Sequence, residues 1–596
     1  MFLKRISIRK NGSRHTYWAL VKSVRTARGP RHQVVSYLGE LEPGEKAGWA
    51  QVGRITRRAY PRQLRLFDDT TPTDPVPEKV EVLVRQARVE RTCDFGDVYL
   101  GLLLWQTLEL DKLLDRKIER GRSHIPWSLM AWVLTLARFC NPSSELHIAD
   151  TWYLRTALDD LLGIPHDRVN TQRLYRTHDA LLPHKEAIET HLKERFATLF
   201  DAGYDLLLYD VTSTYFEGEA ARNLQARRGH SRDHRSDCKQ VCIGLVVTRE
   251  GLPVAYDVFE GNRHDSKTLQ EIVEAMEKRH GRANRIWVLD RGMVSDENLE
   301  FLHEKGGQYI VGIPKSMLRE FEKELLDKSW TEVEPGVEVR LCPSPQGQET
   351  FIVCRSHARR EKERAMHDRF EKRIEDDLIR LAGRLERAKK KPNRSQVERQ
   401  IGRMLGRNSR AAGLFEIAVH EIERDGAKGH LEVTWKKKDT WRDWARLSEG
   451  CYVLRTNLTD WKAEDLWRSY IQLTQAESAF RTQKTELQLR PIWHHREDRA
   501  QAHILFSFLA YAMWKTLEQW MARSGLGNGP RTVVEEFHRI KSTDVVLPTS
   551  AGRDVRIRCI TTPDKAQRTL LGRLGVQLPT RLGDPQWHVG ETECSQ

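Results

Sequence analysis

Two aspartates stand where a sheet could hand a carboxylate to solvent. Asp210 closes the apolar run Leu206-Leu207-Leu208-Tyr209 and is followed by Val211-Thr212-Ser213-Thr214-Tyr215-Phe216. Asp290 closes Ile286-Trp287-Val288-Leu289 and runs into Arg291-Gly292-Met293. Taken singly, each reads equally well as a strand-end cap. If the two strands lie side by side, two like charges share one place and need a cation between them. Carboxylate oxygens are hard ligands that select magnesium or manganese. Two such ions about 3.5–4 Å apart can activate an attacking oxygen and stabilise a leaving oxygen in an in-line phosphoryl displacement.

The elements that would position the pair follow from apolar periodicity. Strands are predicted at 206–211, 241–248, 253–259, 286–290 and 309–313, with helices at 266–278 and 296–305. The order is β-β-β-α-β-α-β, an α/β arrangement over 201–314. Before it, residues 1–60 read as a small β-rich region and 61–92 as a Pro/Thr/Asp linker. Residues 93–200 form several helices with apolar spacings of three and four. After it, residues 315–455 are a mixed insertion with strand-like runs around a charged helical hairpin. Helices are predicted at 461–487 and 500–521, within a segment spanning 456–525, and 526–596 carries little signal. The greasy run 502–514 is too short to span a bilayer and reads as a buried helix.

Lysine and arginine outnumber aspartate and glutamate 98 to 84 in 596 residues, a net charge of +14 that favours a polyanionic partner. Nine scattered cysteines make no disulfide framework. Residues 1–10 lack the apolar core of a signal peptide. These features predict a cytoplasmic protein without a membrane span.

The quoted segments, together with Gly261-Asn262, Asp265 and Thr268, resemble motifs of the DDE transposases of bacterial insertion sequences. Tyr470, Glu477 and Lys484 are similar to the Tyr-Arg-Glu-Lys signature of one branch, at offsets 0, 7 and 14. Glu477 follows Asp290 by 187 residues, room for the β-rich insertion that this branch carries. The resemblance implies a ribonuclease-H-like catalytic core, a mixed sheet with flanking helices, interrupted by a β-rich and helical insertion and preceded by a helical domain. It implies that Asp210, Asp290 and Glu477 are catalytic and hold two Mg2+ (or Mn2+) ions. The substrates would be double-stranded DNA at transposon ends and target DNA, handled by a homodimer in the synaptic complex on the bacterial nucleoid, with no small-molecule cofactor. The 93–200 helices would read the terminal sequence. Two rivals are a transposase-derived DNA-binding protein without catalysis, disfavoured by all three carboxylates being present, and a metal-dependent nuclease that does not join strands.

Leu473 occupies the offset where the signature has Arg. At about 100° per residue, one continuous helix would still set Tyr470, Leu473, Glu477, Arg481 and Lys484 within roughly 80° of one another. Tyr470, Arg481 and Lys484 are therefore candidate DNA contacts, with Arg291 and Lys239 beside the aspartates. Residues 381–410 hold ten Lys/Arg against two Glu, including Lys389, Lys390 and Lys391, and could track a DNA backbone or be a solvated hairpin packed through its leucines. His230, His234, Cys238 and Cys242 share a spacing of four, as in some zinc sites. Cys242 lies in an apolar strand run, however, and the Arg-rich loop before it reads equally as a phosphate contact and a solvated loop. His494-His495 are expected to end a helix rather than touch substrate.

Overall fold

The structure is a computed structural model. It describes all residues except 1, 11–12, 27–28, 40–75, 120–124, 282–283, 345–347, 389–391, 425–426 and 589–596. The chain divides into two compact units. One comprises residues 1–88, 546–557 and 585–596. It contains the antiparallel sheet Phe2–Lys10, Ser13–Thr26 and Gly29–Gly39, and pairs Asp554–Arg556 with Gln586–His588.

The other unit, 89–545 with 558–584, is built on a nine-stranded sheet. Its strands are β1 (Leu206–Tyr215), β2 (Gln240–Thr248), β3 (Pro253–Glu260), β4 (Ile286–Leu289), β5 (Gln308–Gly312), β6 (Thr331–Glu334), β7 (Val337–Pro343), β8 (Thr350–Ser356) and β9 (Cys451–Thr456). The spatial order is β6-β7-β8-β9-β5-β4-β1-β2-β3. Pairs β1/β4 and β4/β5 are parallel, and the rest are antiparallel.

Side chains alternate across a strand, and here each face has its own core. Leu206, Leu208, Ile286, Val288 and Ile310 join one apolar cluster, while Leu207, Tyr209, Trp287, Leu289 and Val311 join another. The second face is covered by α1 (Leu269–His280) and α2 (Asp296–Glu304), through Leu269, Ile272, Val273, Met276, Leu299 and Leu302. Beyond the core, α3 (His357–Glu386) and α4 (Arg394–Arg407) form a hairpin. The first face of the sheet is covered by α5 (Ala463–Ile471), α6 (Thr474–Thr485) and α7 (Glu497–Arg523).

The expected β-β-β-α-β-α-β order is present, but four sequence readings need correction. The segment 315–455 is not wholly an insertion: β6, β7, β8 and β9 extend the central sheet, and a separate apolar cluster gathers only the α3/α4 hairpin with strands Phe415–Arg424 and Ala427–Lys437. The 93–200 helices are not a body apart. Their cores merge with the sheet's, because α7 is buried all round from Ala502 to Leu517 and needs helices such as Trp127–Cys140 and Thr171–Leu181 about it. The linker stops short of 92, since Arg88–Asp94 is a strand, and Lys541 meets Asp94 at 2.5 Å. The C-terminal segment, read as irregular, carries regular elements in its described part, with a helix at Pro530–His538, a strand at Lys541–Pro548 and a helix at Lys565–Leu574. That strand buries Ser542 and Asp544, so hydropathy alone hides it.

Candidate active site

Asp210 does not end its strand. β1 runs on to Tyr215, with Val211 to Tyr215 paired to Gly244 to Gln240 of β2. Thr212, Ser213 and Thr214 are polar yet buried, and β-branched residues suit a pleated surface. The parallel partner is what stops: Leu206 to Tyr209 pair with Ile286 to Leu289 and no further. Asp210 and Asp290 are the next residues on the two neighbouring strands, just where they part. By alternation both lie on the face of Leu208 and Val288. Asp290 keeps an extended backbone, φ −74° and ψ 158°, before the turn Arg291–Met293.

On that same face α6 packs through Ala476, Ala479 and Phe480. Glu477 is on its first turn and is exposed. Asp210, Asp290 and Glu477 line one cleft of about 290 Å³, together with Thr212, Arg232 and Asp265. A larger cavity of about 530 Å³ adjoins it, sharing Asp290 and Glu477 and running past Arg291, Tyr470 and Leu473. Burial pushes the half-buried Asp210 carboxyl up to about 7, with the Asp290 and Glu477 charges adding to it. The Val211 N–H, donating to Asp210 Oδ1 at 2.7 Å, and Arg232 oppose the rise. This donor set fits divalent cations: all-oxygen ligands, like-charged, with one held partly protonated until positive charge arrives.

Among the described residues, one set of three acidic or imidazole groups has its ligand atoms all within 4.8 Å, and it lies elsewhere, at Glu145, His178 and His494. The cleft carboxylates are spaced more widely. Nε2 of His178 and of His494 face the same oxygen, Glu145 Oε1, at 2.9 and 3.3 Å. Burial works against the Glu145 charge, yet the two imidazoles hold its carboxyl far below the usual range. His178 Nδ1 is buried without a hydrogen-bond partner. Burial lowers the pKa of the His178 imidazole, and a neutral ring that donates Nε2–H to Glu145 leaves Nδ1 unprotonated. A metal on Nε2 would instead put a proton on Nδ1 and require an acceptor for it, so the trio fits an internal hydrogen-bonded cluster better than a metal site. His494 accordingly neither ends a helix nor faces substrate. It ties the segment after α6 to the Thr171–Leu181 helix.

The signature helix is also interrupted. α5 stops at Ile471 and α6 starts at Thr474, with Leu473 N–H donating to Tyr470 O at 2.9 Å in a tightened turn. Leu473 is buried there. Tyr470 and Glu477 thus sit on consecutive helices, which corrects the single-helix arrangement, although both still line the larger cavity. The Tyr470 hydroxyl lies 2.5 Å from where a Cβ on Gly312 would sit, so a side chain there would have to displace the ring.

Arg481 is exposed, and among the described residues no ion pair links it to Glu477 or Glu486. Lys484 is turned inward. Its Nζ donates to Thr212 Oγ1 at 2.9 Å and to Asp233 Oδ1 at 3.0 Å, and Arg490 pairs with the same Asp233 oxygen. Arg291 is exposed on the larger cavity. Lys239 donates to the Glu219 carbonyl at 2.8 Å. Lys389, Lys390 and Lys391 lie outside the described residues. The four His/Cys of the 230–242 loop do not converge: Cys242 is buried in β2, and Cys238 bonds Arg235 and Asp237.

Sequence reasoning singled out neither Arg232 nor Asp265 as a site residue. The two pair with each other at the cleft. The arginine-rich loop and the motif segment around Gly261 were the signals that could have found them. Asp233, which anchors Lys484, offered none. No helix among the described residues is long and apolar enough to cross a membrane.

A family model described as "Transposase DDE domain" matches residues 201–513, more than half of the chain. A second, "IS1634 family transposase, N-terminal domain", matches residues 3–60. No curated protein matches the chain.

Proposed function

The chain belongs to the DDE transposases of bacterial insertion sequences, and on that premise we propose that Asp210, Asp290 and Glu477 are its catalytic carboxylates. It is a DNA transposase, an enzyme that binds DNA at transposon ends, of a family that works with divalent metal ions. The observation that carries the assignment is one cleft that Asp210, Asp290 and Glu477 line from three distant segments, with Asp265 beside them paired to Arg232. Asp210 and Asp290 hold the cations from the sheet, and Glu477 completes the set from α6. Two magnesium or manganese ions, when bound, supply neutralisation of the scissile phosphate and activation of the attacking oxygen. Arg232, at the same cleft, neutralises carboxylate charge and can take a phosphate oxygen. Two copies acting on paired ends and target DNA complete the reading. The test is single-turnover cleavage of a duplex carrying the element's own end, in magnesium. Nicking at the end followed by joining to target supports it, and hydrolysis without joining favours a nuclease.

The α6 cations divide by environment. Arg481 faces solvent and serves as a bidentate phosphate contact, whereas Lys484 positions the 227–240 loop against β1. Arg481→Ala should slow end cleavage at least tenfold with an unchanged melting temperature. Lys484→Met should lower the melting temperature by several degrees, because it leaves buried Asp233 with one cation fewer. Thermal melts beside single-turnover rates check both; a destabilised Arg481→Ala or an unaffected Lys484→Met contradicts the division.

Crowding of the carboxylates has a signature in metal-free protein. Folded Asp210 holds its proton up to about pH 7, so the folded state binds more protons than the unfolded one between roughly pH 4 and 7. Stability at this group is therefore lost as pH rises through that window. Asp210→Asn should melt above wild type at pH 8 in chelator, with the gap closing toward pH 4. A gap independent of pH would mean that Asp210 is not held protonated.

A further inference from the structure

We propose that the groove between α3 and α4 is a second DNA site, one that holds the phosphate backbone of duplex DNA without reading its sequence. Arg380 and Arg384 of α3 face Arg399, Arg403 and Arg407 of α4 across a groove of about 750 Å³. All five are exposed. Among the described residues the one carboxylate lining the groove is Asp377, which pairs with Arg380 at 2.9 Å. Arg384 donates to Gln400 at 2.5 Å, and Arg399 Nε donates to the Ser395 carbonyl at 3.2 Å. Among the described residues Arg399, Arg403 and Arg407 have no carboxylate partner.

Folding does not call for this arrangement. The hairpin is held by its other face, where Ile374, Leu378 and Leu385 meet Val397 and Ile401, with Leu381 and Met404 closing the groove floor. Like charges four residues apart, as at 380/384, 399/403 and 403/407, oppose helix formation. An anion outside the protein therefore completes the site. Arg399 and Arg407 stand about 12 Å apart along the helix axis, beyond the reach of one phosphate but matched by a backbone that repeats its charge. Among the described residues no aromatic ring lines the groove, so bases have nothing to stack on, which favours duplex over single strand. Guanidinium–phosphate contacts fix position and carry no sequence information.

The inference rests on the chain being a DNA transposase and not on the three carboxylates. The test uses the full chain and measures binding of an end duplex, a scrambled duplex and a single strand against salt concentration. The slope of log affinity against log salt becomes shallower by about 0.9 for each phosphate that the protein no longer neutralises. Combined Arg399→Gln, Arg403→Gln and Arg407→Gln should make the duplex slope shallower by about 2 to 3 and weaken both duplexes equally. The corresponding Lys triple should keep most of the slope, since it keeps the charge. Arg380→Gln with Arg384→Gln should make it shallower by about 1 to 2, and that pair decides the matter if the Gln triple does not reach the wild-type melting temperature. An unchanged slope, a weakening confined to the end sequence, or tighter single-strand than duplex binding through these arginines overturns the proposal. Asp290→Asn should leave the slope intact. An active Asp290→Asn beside a flattened groove slope would reject the catalytic assignment and keep the groove.

Discussion

Asp210→Ala, Asp290→Ala and Glu477→Ala each abolish cleavage of an end duplex while DNA binding persists. Each substitution removes one of the three carboxylates lining the cleft beside Asp265, which is held by Arg232. Charge stabilisation by bound metal is worth several kcal/mol in the transition state, and each 1.36 kcal/mol is tenfold in rate. Reductions of about 10³-fold or more follow from removing any one ligand. None of the three is a core residue: Asp290 and Glu477 are exposed and Asp210 half-buried. The variants should therefore fold, and Asp210→Ala, freed of a crowded charge, should melt no lower than wild type in chelator. Single-turnover assays paired with a binding titration separate catalysis from affinity. Full activity in any one variant removes that residue from the site.

Chelation is the second large effect. Excess chelator should stop cleavage entirely, and magnesium or manganese should restore it. Calcium should bind and raise the melting temperature yet support little turnover, because it takes more ligands at longer range than the near-octahedral shell magnesium imposes. The melting shift caused by magnesium should shrink sharply in Asp290→Ala, which connects the ion to the cleft. Cleavage persisting in chelator would sink the metal-dependent route.

The aspartate strands were legible because they are short, apolar and punctuated, and because alternation carries over from Leu208 to Asp210 and from Val288 to Asp290. What hydropathy hid was the continuation of β1 through Thr212, Ser213 and Thr214, where polar side chains are buried within a sheet. Extension of that sheet by β6 to β9 was equally hidden, since the local hairpins β6/β7/β8 join it only through β9, whose pairing with β8 and β5 crosses long chain separations and leaves no local trace. The break at Leu473 escaped helical periodicity, because a tightened turn changes phase without changing composition. Lys484 reads as a surface cation in sequence and becomes internal only when Asp233, far away in the chain, comes to it. The same holds for His494, whose partner Glu145 lies in the helical region. The 93–200 helices were recognised as helices, but the all-round burial of α7 that fuses them to the sheet is a property of packing.

The measurement that bears most directly on the catalytic assignment is manganese binding followed by electron paramagnetic resonance, with the full chain held on its end duplex. The wild type should bind manganese with a stoichiometry that falls in each of Asp210→Asn, Asp290→Asn and Glu477→Gln, while Glu145→Gln leaves it unchanged. Manganese retained in full by all three cleft variants, or released in Glu145→Gln, would place the metal away from this cleft and contradict the assignment.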